Sequence, residues 1–420
     1  MSVSPPRETE STRRITTHES RRMEKFFATC PRGLEQALAA ELAALGAHEV
    51  KAVDGGASFG GDLALCYAAN LESRVASRVL WQVGGARYRN EHDVFEAARA
   101  IPWTRFFDVG CTIRVNVSAI KSPVKSLDFV TLRVKDAVCD VFRAAHGKRP
   151  DVNTESPDVR IHAFLTREEV TFYLDTSGEA LFKRGWRTAG GEAPLRENLA
   201  AGILKLTDWA APTPLYDPMC GGGTFLVEAA MMALDVAPGS DRSFGFERLA
   251  NYDAGLWRAL REQARARRLP VGRLPIYGSD KSGTALGMAR ENLAAPGLAR
   301  AVELKQMDVL DGGPPAAEGI LVMNPPYGER LGGEAELAAF YPKLGDALKQ
   351  RYAGWTAYIL SSDMQLPRLI GLKASRRTPL YNGALECRLF EYRLVAGSMR
   401  RPKPLTAEDA EDAEGNKCKD

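Results

Sequence analysis

The chain has 420 residues, 45% of them apolar, and a formal net charge of +3; that is length enough for two or three domains with sizeable cores, and too little charge for whole-molecule electrostatics to select nucleic acid or a membrane surface. No apolar run reaches the 18 residues that would suggest a bilayer span, and residues 1–22 lack the apolar stretch of a signal peptide, so a cytoplasmic protein is expected. Seven cysteines without a C-x-x-C pair and five scattered histidines make neither a disulfide frame nor a metal site.

Residues 1–23 are rich in Ser, Thr, Arg and Glu and read as a disordered tail. Residues 26–30 then read as a strand, 34–45 as a helix with Leu34, Leu38, Leu42 and Leu45 on one side, 50–59 as further strand, 63–71 as helix and 78–83 as extended chain. Together they suggest a small α+β layer over residues 24–85. Between residues 86 and 178, Ile113, Val115 and Val117 alternate with Arg114, Asn116 and Ser118 as in a half-buried strand. A helix follows with Val130, Val134, Ala137, Val138, Val141 and Phe142 as its buried face, and residues 159–165 and 170–174 suit a hairpin. Basic residues gather here: Arg114, Lys121, Lys125, Arg133, Lys135, Arg143, Lys148 and Arg149 stand against Asp128, Asp136 and Asp140. Such a stripe can neutralise phosphates, although a mixed solvated surface accounts for the charge count equally well. Lys183, Arg184, Trp186 and Arg187, in a linker over residues 179–192, suit RNA or a domain contact alike.

The second half begins with an apolar stretch ending in Asp217-Pro218-Met219-Cys220-Gly221-Gly222-Gly223-Thr224, followed by a helical run over residues 225–234. A strand, a glycine turn and a helix let backbone N–H groups approach a ligand, and the helix amino end favours a carboxylate. The spacing is not G-x-G-x-x-G, and Asp217 at the strand end can meet an amino-bearing ligand such as the methionine part of S-adenosylmethionine, which sets the loop apart from a dinucleotide turn. Asp280 and Asp308 end the next two strands, residues 274–279 and 302–307, where they can accept from ribose hydroxyls and from an adenine amino group; each alone reads equally as a solvated turn aspartate. From Asp217 to Asp280 is 63 residues, against about 20 from glycine loop to ribose acid in a compact dinucleotide fold. An insertion over about residues 240–270 is therefore expected, with Phe246, Leu249, Tyr252, Leu256, Trp257 and Leu260 at helical spacing and Arg258, Arg261, Arg265, Arg267 and Arg268 as a basic flank.

Asn324-Pro325-Pro326-Tyr327 then closes the apolar run 319–323. An amide side chain and a carbonyl freed by two prolines can accept both hydrogens of a planar NH2 group while the tyrosine ring covers the attached flat system, which points to methylation of a planar nitrogen. Strands over 215–219, 276–279, 302–307, 320–323 and 355–360, with helices between, give an α/β half closed by an antiparallel pair at 376–381 and 387–395. Residues 399–420 read as a disordered acidic tail.

From about Lys25 to Val395 the chain resembles the THUMP-containing, S-adenosylmethionine-dependent methyltransferases that make N2-methylguanine in bacterial 23S ribosomal RNA. The resemblance rests on Phe27-Ala28-Thr29-Cys30-Pro31-Arg32-Gly33-Leu34-Glu35, Val134-Lys135-Asp136-Ala137, Leu174-Asp175-Thr176-Ser177-Gly178, Arg184-Gly185-Trp186-Arg187, Ala193-Pro194-Leu195-Arg196-Glu197, Asp217 to Gly221, Gly278-Ser279-Asp280 and Asn324 to Arg330. It implies a ferredoxin-like region over 24–85, a THUMP RNA-binding region over 86–178 and a class I (Rossmann-like) methyltransferase domain over 193–398. It also implies S-adenosylmethionine held by Glu197, Asp217, Met219, Cys220, Gly221, Gly223, Thr224, Asp280, Lys281, Asp308, Val309 and Asn324, and catalysis by Asn324, Pro325, Pro326 and Tyr327; the basic stripe and linker offer Arg114, Lys121, Lys125, Arg133, Lys135, Lys148, Arg149, Lys183 and Arg184 as candidate RNA contacts. Gly222 stands where the family commonly has serine, and some relatives carry a second methyltransferase domain, so only the guanine-N2 activity carries over. The expected partner is 23S RNA or a pre-50S particle, bound by a monomer without metal or membrane. Adenine-N6 or other structured-RNA (tRNA) methylation, and an RNA-binding assembly factor with secondary catalysis, remain as alternatives.

Overall fold

The computed structural model describes residues 23–188, 195–325 and 334–396. The expected tails, except Met23, and residues 189–192 of the expected linker lie outside the described residues, as do Pro326 and Tyr327. Two compact units divide the chain.

The first unit is built from β1 (Glu24–Thr29), α1 (Glu35–Ala44), β2 (His48–Val53), β3 (Gly56–Gly61), α2 (Leu63–Glu72), β4 (Arg78–Arg87), α3 (Glu91–Arg99), β5 (Ile113–Ala119), α4 (Leu127–His146), β6 (Val159–Leu165) and β7 (Glu169–Asp175). Its strands form a single sheet in the order β2-β3-β1-β4-β7-β6-β5. The ten-residue β4 spans the expected division near residue 85: Arg78 to Trp81 pair with β1, while Leu80 to Arg87 pair with β7 across a register shift between Gln82 and Gly84. One strand thus stitches both regions into one sheet. Alternation dictates the core, since Val159, Ile161, Ala163 and Leu165 of β6 are buried and the residues between them are not. Helix α4 begins at Ser126, whose hydroxyl accepts from Phe129 N, and ends at Gly147 in the left-handed conformation. Asn90 caps the start of α3, its side chain accepting from His92 N and Asp93 N; this helix was not among the expected elements.

The second unit contains α5 (Glu197–Leu206), β8 (Leu215–Asp217), α6 (Thr224–Ala233), β9 (Ile276–Asp280), α8 (Gly283–Ala294), β10 (Val302–Gln306), β11 (Gly319–Met323), α9 (Glu334–Arg351), β12 (Trp355–Ser361), α10 (Leu366–Leu369), β13 (Arg376–Asn382) and β14 (Leu385–Arg393), with α7 (Ala254–Arg267) intervening in the chain. Strand order is β10-β9-β8-β11-β12-β14-β13, the first five parallel and the last two antiparallel. Helices on a parallel sheet require apolar strands, and Tyr216, Leu321, Met323, Trp355, Ile359 and Phe390 share a core with Leu344 and Tyr352 of the α9 region. Gly278 lets α6 close on the sheet, because a Cβ there would lie 2.3 Å from Leu226 Cδ1. Strand order reverses between β8 and β11, and ligands of such sheets bind at the carboxyl ends of the strands beside that reversal.

Residues 237–266, the expected insertion, group with the first unit. Phe246 stacks on Tyr67 of α2 at 4.2 Å between centroids, Trp257 of α7 meets Phe246 edge-on at 5.1 Å, and Asp253 N donates to Tyr67 Oη at 3.0 Å. Each such aromatic pair adds about 0.5–1.5 kcal/mol beyond the area it buries. Arg242 donates to the carbonyls of Ala180 and Glu179, and Phe246 N to that of Thr176. The motif Asp175-Thr176-Ser177-Gly178 has a structural use beside this: Asn70, buried in α2, donates to Thr176 Oγ1 and accepts from Ser177 Oγ, a fully satisfied polar corner.

Candidate active site

Parallel strands deliver their last residues to one edge of the sheet, and the backbone there is knitted across strands. Cys220 N donates to Ser279 O, Gly221 N to Asp280 Oδ2 at 2.9 Å, and Met307 N to Asp280 O. The loops after β8, β9 and β10 therefore form one surface. Gly221 and Gly223 have φ of +52° and +78°, the left-handed region that favours glycine, and a Cβ on Gly223 would press on Ala289 at 3.2 Å. Gly223 caps α6 without a side chain, so the amino end begins at the buried Thr224 with backbone donors alone.

The acids differ in environment. Asp217 is 2% exposed; burial raises its carboxyl well above the usual carboxylate range and the charge of Asp280 raises it further, against one hydrogen bond from Met219 N. Asp280 is half-buried, accepting from Ser282 N on one oxygen and Gly221 N on the other, each oxygen keeping a second lone pair for a hydroxyl donor. Asp308, two residues beyond β10, is likewise half-buried and accepts from Leu310 N through Oδ1. Lys281 is exposed, and Val309 is a core residue beside Tyr216 and Leu321, leaving only its main chain for a ligand. Met219 packs partly against the same core. Burial and the two aspartates push the Cys220 thiol well up, the opposite of what a nucleophile needs.

Glu197 opens α5 almost wholly buried, and Arg187 Nε donates to its Oε1 at 2.7 Å. The same guanidinium donates through Nη2 to Thr224 Oγ1 and Leu195 O, both at 3.1 Å. Buried Asn292 donates to Gly222 O at 2.9 Å and accepts from Thr188 N at 3.0 Å. Arg187 and Asn292 thereby lash residues 187–188 to the glycine loop, roles that no local pattern announces.

Asn324 follows β11, and its Oδ1 is buried with no hydrogen-bond partner among the described residues. Leaving such an acceptor unpaired costs about 1–3 kcal/mol, so this oxygen calls for a donor beyond the described residues. Pro325 is buried beside it.

Arg184 needs correction as an RNA contact. Its Nε lies 3.4 Å from Glu228 Oε1, with side chains 1% and 0% exposed, and a guanidinium buried against a carboxylate cannot reach a phosphate. Lys183 is exposed, as are Arg114, Lys121, Lys125, Lys148 and Arg149. Arg133 lies over the Phe95 ring at 4.0 Å, and Lys135 pairs with Asp136. Among the described residues no His, Cys, Asp and Glu group is arranged to hold a metal, and no helix is long and apolar enough to cross a membrane.

Comparison with known proteins places this geometry. The RMKL-like methyltransferase domain matches residues 184–391, the THUMP domain residues 88–175 and the RlmL ferredoxin-like domain residues 25–80. The Synechocystis protein slr0064, named as a candidate RNA methyltransferase, is 39% identical over 370 residues, covering 88% of this chain and 96% of its own. The chain belongs to the RMKL-like methyltransferase family. This RMKL-like protein is also 40% identical over 397 residues to the ribosomal RNA large subunit methyltransferase K/L of Shewanella sp. (strain ANA-3), covering 93% of this chain and 56% of the relative, so it spans about half the length of such K/L relatives. The solved structure of SMU.472 with S-adenosylhomocysteine is 31% identical, with a TM-score of 0.80 over 89% of this chain and 98% of the other. The RMKL-like domain is a class I, S-adenosylmethionine-dependent methyltransferase preceded by ferredoxin-like and THUMP domains. Its residues fit the donor: a buried acid with no counter-cation among the described residues, an open glycine turn at a helix amino end, and two half-buried strand-end aspartates.

Proposed function

We propose that the protein transfers the methyl group of S-adenosylmethionine to the exocyclic N2 of a guanine in 23S ribosomal RNA, acting on the free RNA or a pre-50S particle as a cytoplasmic monomer. The observation that carries this is Asn324 Oδ1, buried where β11 ends and without a hydrogen-bond partner among the described residues, in a chain that also bears a THUMP region. The names of the K/L relatives support the choice of RNA.

Bound S-adenosylmethionine supplies an electrophilic carbon on a positive sulfur. Asn324 Oδ1 and the Pro325 carbonyl accept the two hydrogens of the guanine amine, turning its lone pair out of conjugation and in line with that carbon; such positioning is a large share of the rate. The base must leave its stack to reach them, and Pro326 and Tyr327 would wall its face. Asp280 takes the ribose hydroxyls, Asp308 the adenine amino group, and Asp217 with Glu197 the methionine end. Methylation makes the nitrogen acidic, so a carbonyl or water suffices to accept the proton.

The test is nucleoside mass spectrometry and primer extension on 23S RNA from cells lacking the gene. One N2-methylguanine should vanish and return with the wild-type gene. Loss of N6-methyladenine with N2-methylguanine retained would reassign the base, and unchanged methylation with stalled 50S assembly would make the protein an assembly factor.

A further inference from the structure

Twelve large apolar side chains are exposed among the described residues, and four of them fall between residues 120 and 132: Ile120 (53%), Leu127 (37%), Phe129 (51%) and Leu132 (54%). Phe129 and Leu132 stand at i and i+3 on the first turns of α4, neighbours on its outer side, while Val130, Val134, Ala137 and Val138 fill the buried side completely. Packing therefore does not require Phe129 or Leu132 to be apolar.

The segment leading into this face is pinned. Ile120 N donates to Leu165 O at 2.9 Å. Tyr88 Oη donates to Thr166 O at 2.6 Å and lies 2.6 Å from Ser122 Oγ, so the serine hydroxyl donates to it. Between these two ties Lys121 adopts φ of +55°, a left-handed conformation that a residue with a Cβ adopts only when its surroundings hold it there. Lys121 and Lys125 are both exposed and have neither an ion pair nor a hydrogen bond among the described residues. The one acid in the patch, Asp128, lies in the first turn of α4, where it offsets the helix dipole.

We propose that this patch docks one unpaired nucleotide of the RNA substrate, its base stacked on Phe129 with Leu132 and Ile120 beside it and its flanking phosphates on Lys121 and Lys125. This rests on the RNA reading above and adds where the first unit grips the strand. An exposed aromatic serves any base through its π-face, and free ammonium groups complement phosphates. An apolar protein partner would leave both lysines uncompensated.

Phe129→Ala, Phe129→Trp and the Lys121→Ala/Lys125→Ala double variant, made in the full chain, test it by anisotropy with a labelled uridine dodecamer over a salt series, and by KM for 23S RNA from the gene-deleted strain. Phe129→Ala should weaken binding and raise KM about tenfold without changing the salt slope, and Phe129→Trp should restore both. The double variant should flatten the slope by about 1.4, two phosphates at about 0.7 each. Donor affinity and melting temperature should stay at wild-type values in all three. Wild-type affinity and KM in Phe129→Ala would overturn the proposal while the function stands. So would an unchanged RNA affinity accompanied by loss of a dimer in sedimentation, which would make the patch an interface between copies. A wild-type enzyme that transfers no methyl to 23S RNA would instead overturn the parent reading.

Discussion

Asp217→Asn separates the charge of the buried acid from its shape, because the amide keeps an oxygen to accept from Met219 N. In the donor-free protein, burial and then the neighbouring charge of Asp280 hold the Asp217 carboxyl well above its ordinary range. The folded state therefore retains a proton that the unfolded chain, with an aspartate pKa of about 3.9, has already released. Stability from this group is complete below the unfolded value and is lost as pH rises through the raised folded value. Asparagine has no proton to lose, so the variant should be the more stable protein at pH 8 and the difference should close toward pH 4. Relief of this buried acid is worth at least about 1–3 kcal/mol, the cost of an unsatisfied buried polar group, and each kcal/mol moves the melting temperature of a domain of this size by roughly 2–4 °C. Donor binding should change the opposite way, since losing a charge-assisted bond to the methionine ammonium costs about 1.5–3 kcal/mol, or roughly 10- to 150-fold in Kd. Thermal melts from pH 4 to 8.5 with and without S-adenosylmethionine, and calorimetry at pH 7.5, read both effects. A variant that melts lower at pH 8 without donor, or binds donor as tightly as wild type, would refute the assignment of Asp217.

Asn324→Ala should lower kcat at least about a hundredfold with donor Kd within twofold, and should melt no lower than wild type because it removes a buried oxygen that has no partner among the described residues; single-turnover transfer and calorimetry check this. Arg187→Lys keeps the charge but not the planar fork that reaches Glu197, Thr224 and Leu195 together; donor Kd should weaken about tenfold with KM for RNA unchanged. Arg184→Met removes the guanidinium that faces the buried Glu228 carboxylate and should cost about 3–5 kcal/mol, with recovery in the Arg184→Met/Glu228→Leu pair by denaturant unfolding and no change in the salt dependence of RNA binding.

What could be read from the chain alone follows from which interactions are local. The positions of Asp217, Asp280 and Asp308 at one edge of the sheet were legible because each closes an apolar run, and a parallel strand must turn where that run ends; β8, β9 and β11 end within two residues of where periodicity put them. The extent of β4 was not legible, since a strand shared between β1 and β7 carries no mark of changing partners. Lys183 and Arg184 are adjacent and both basic, yet one is exposed and the other is sealed against Glu228, 44 residues further on; composition cannot distinguish them because burial of a charge is decided by its partner. Arg187 and Asn292 were missed for the same reason. The insertion shows the rule from the other side. Helical spacing marked Trp257 as buried, and it is, but the ring that completes its cluster is Tyr67 on α2, far earlier in the chain. The long spacing between Asp217 and Asp280, anomalous for a compact nucleotide-binding fold, is thus accounted for by an aromatic segment folded into the first unit: the distance along the chain reports a tertiary partner.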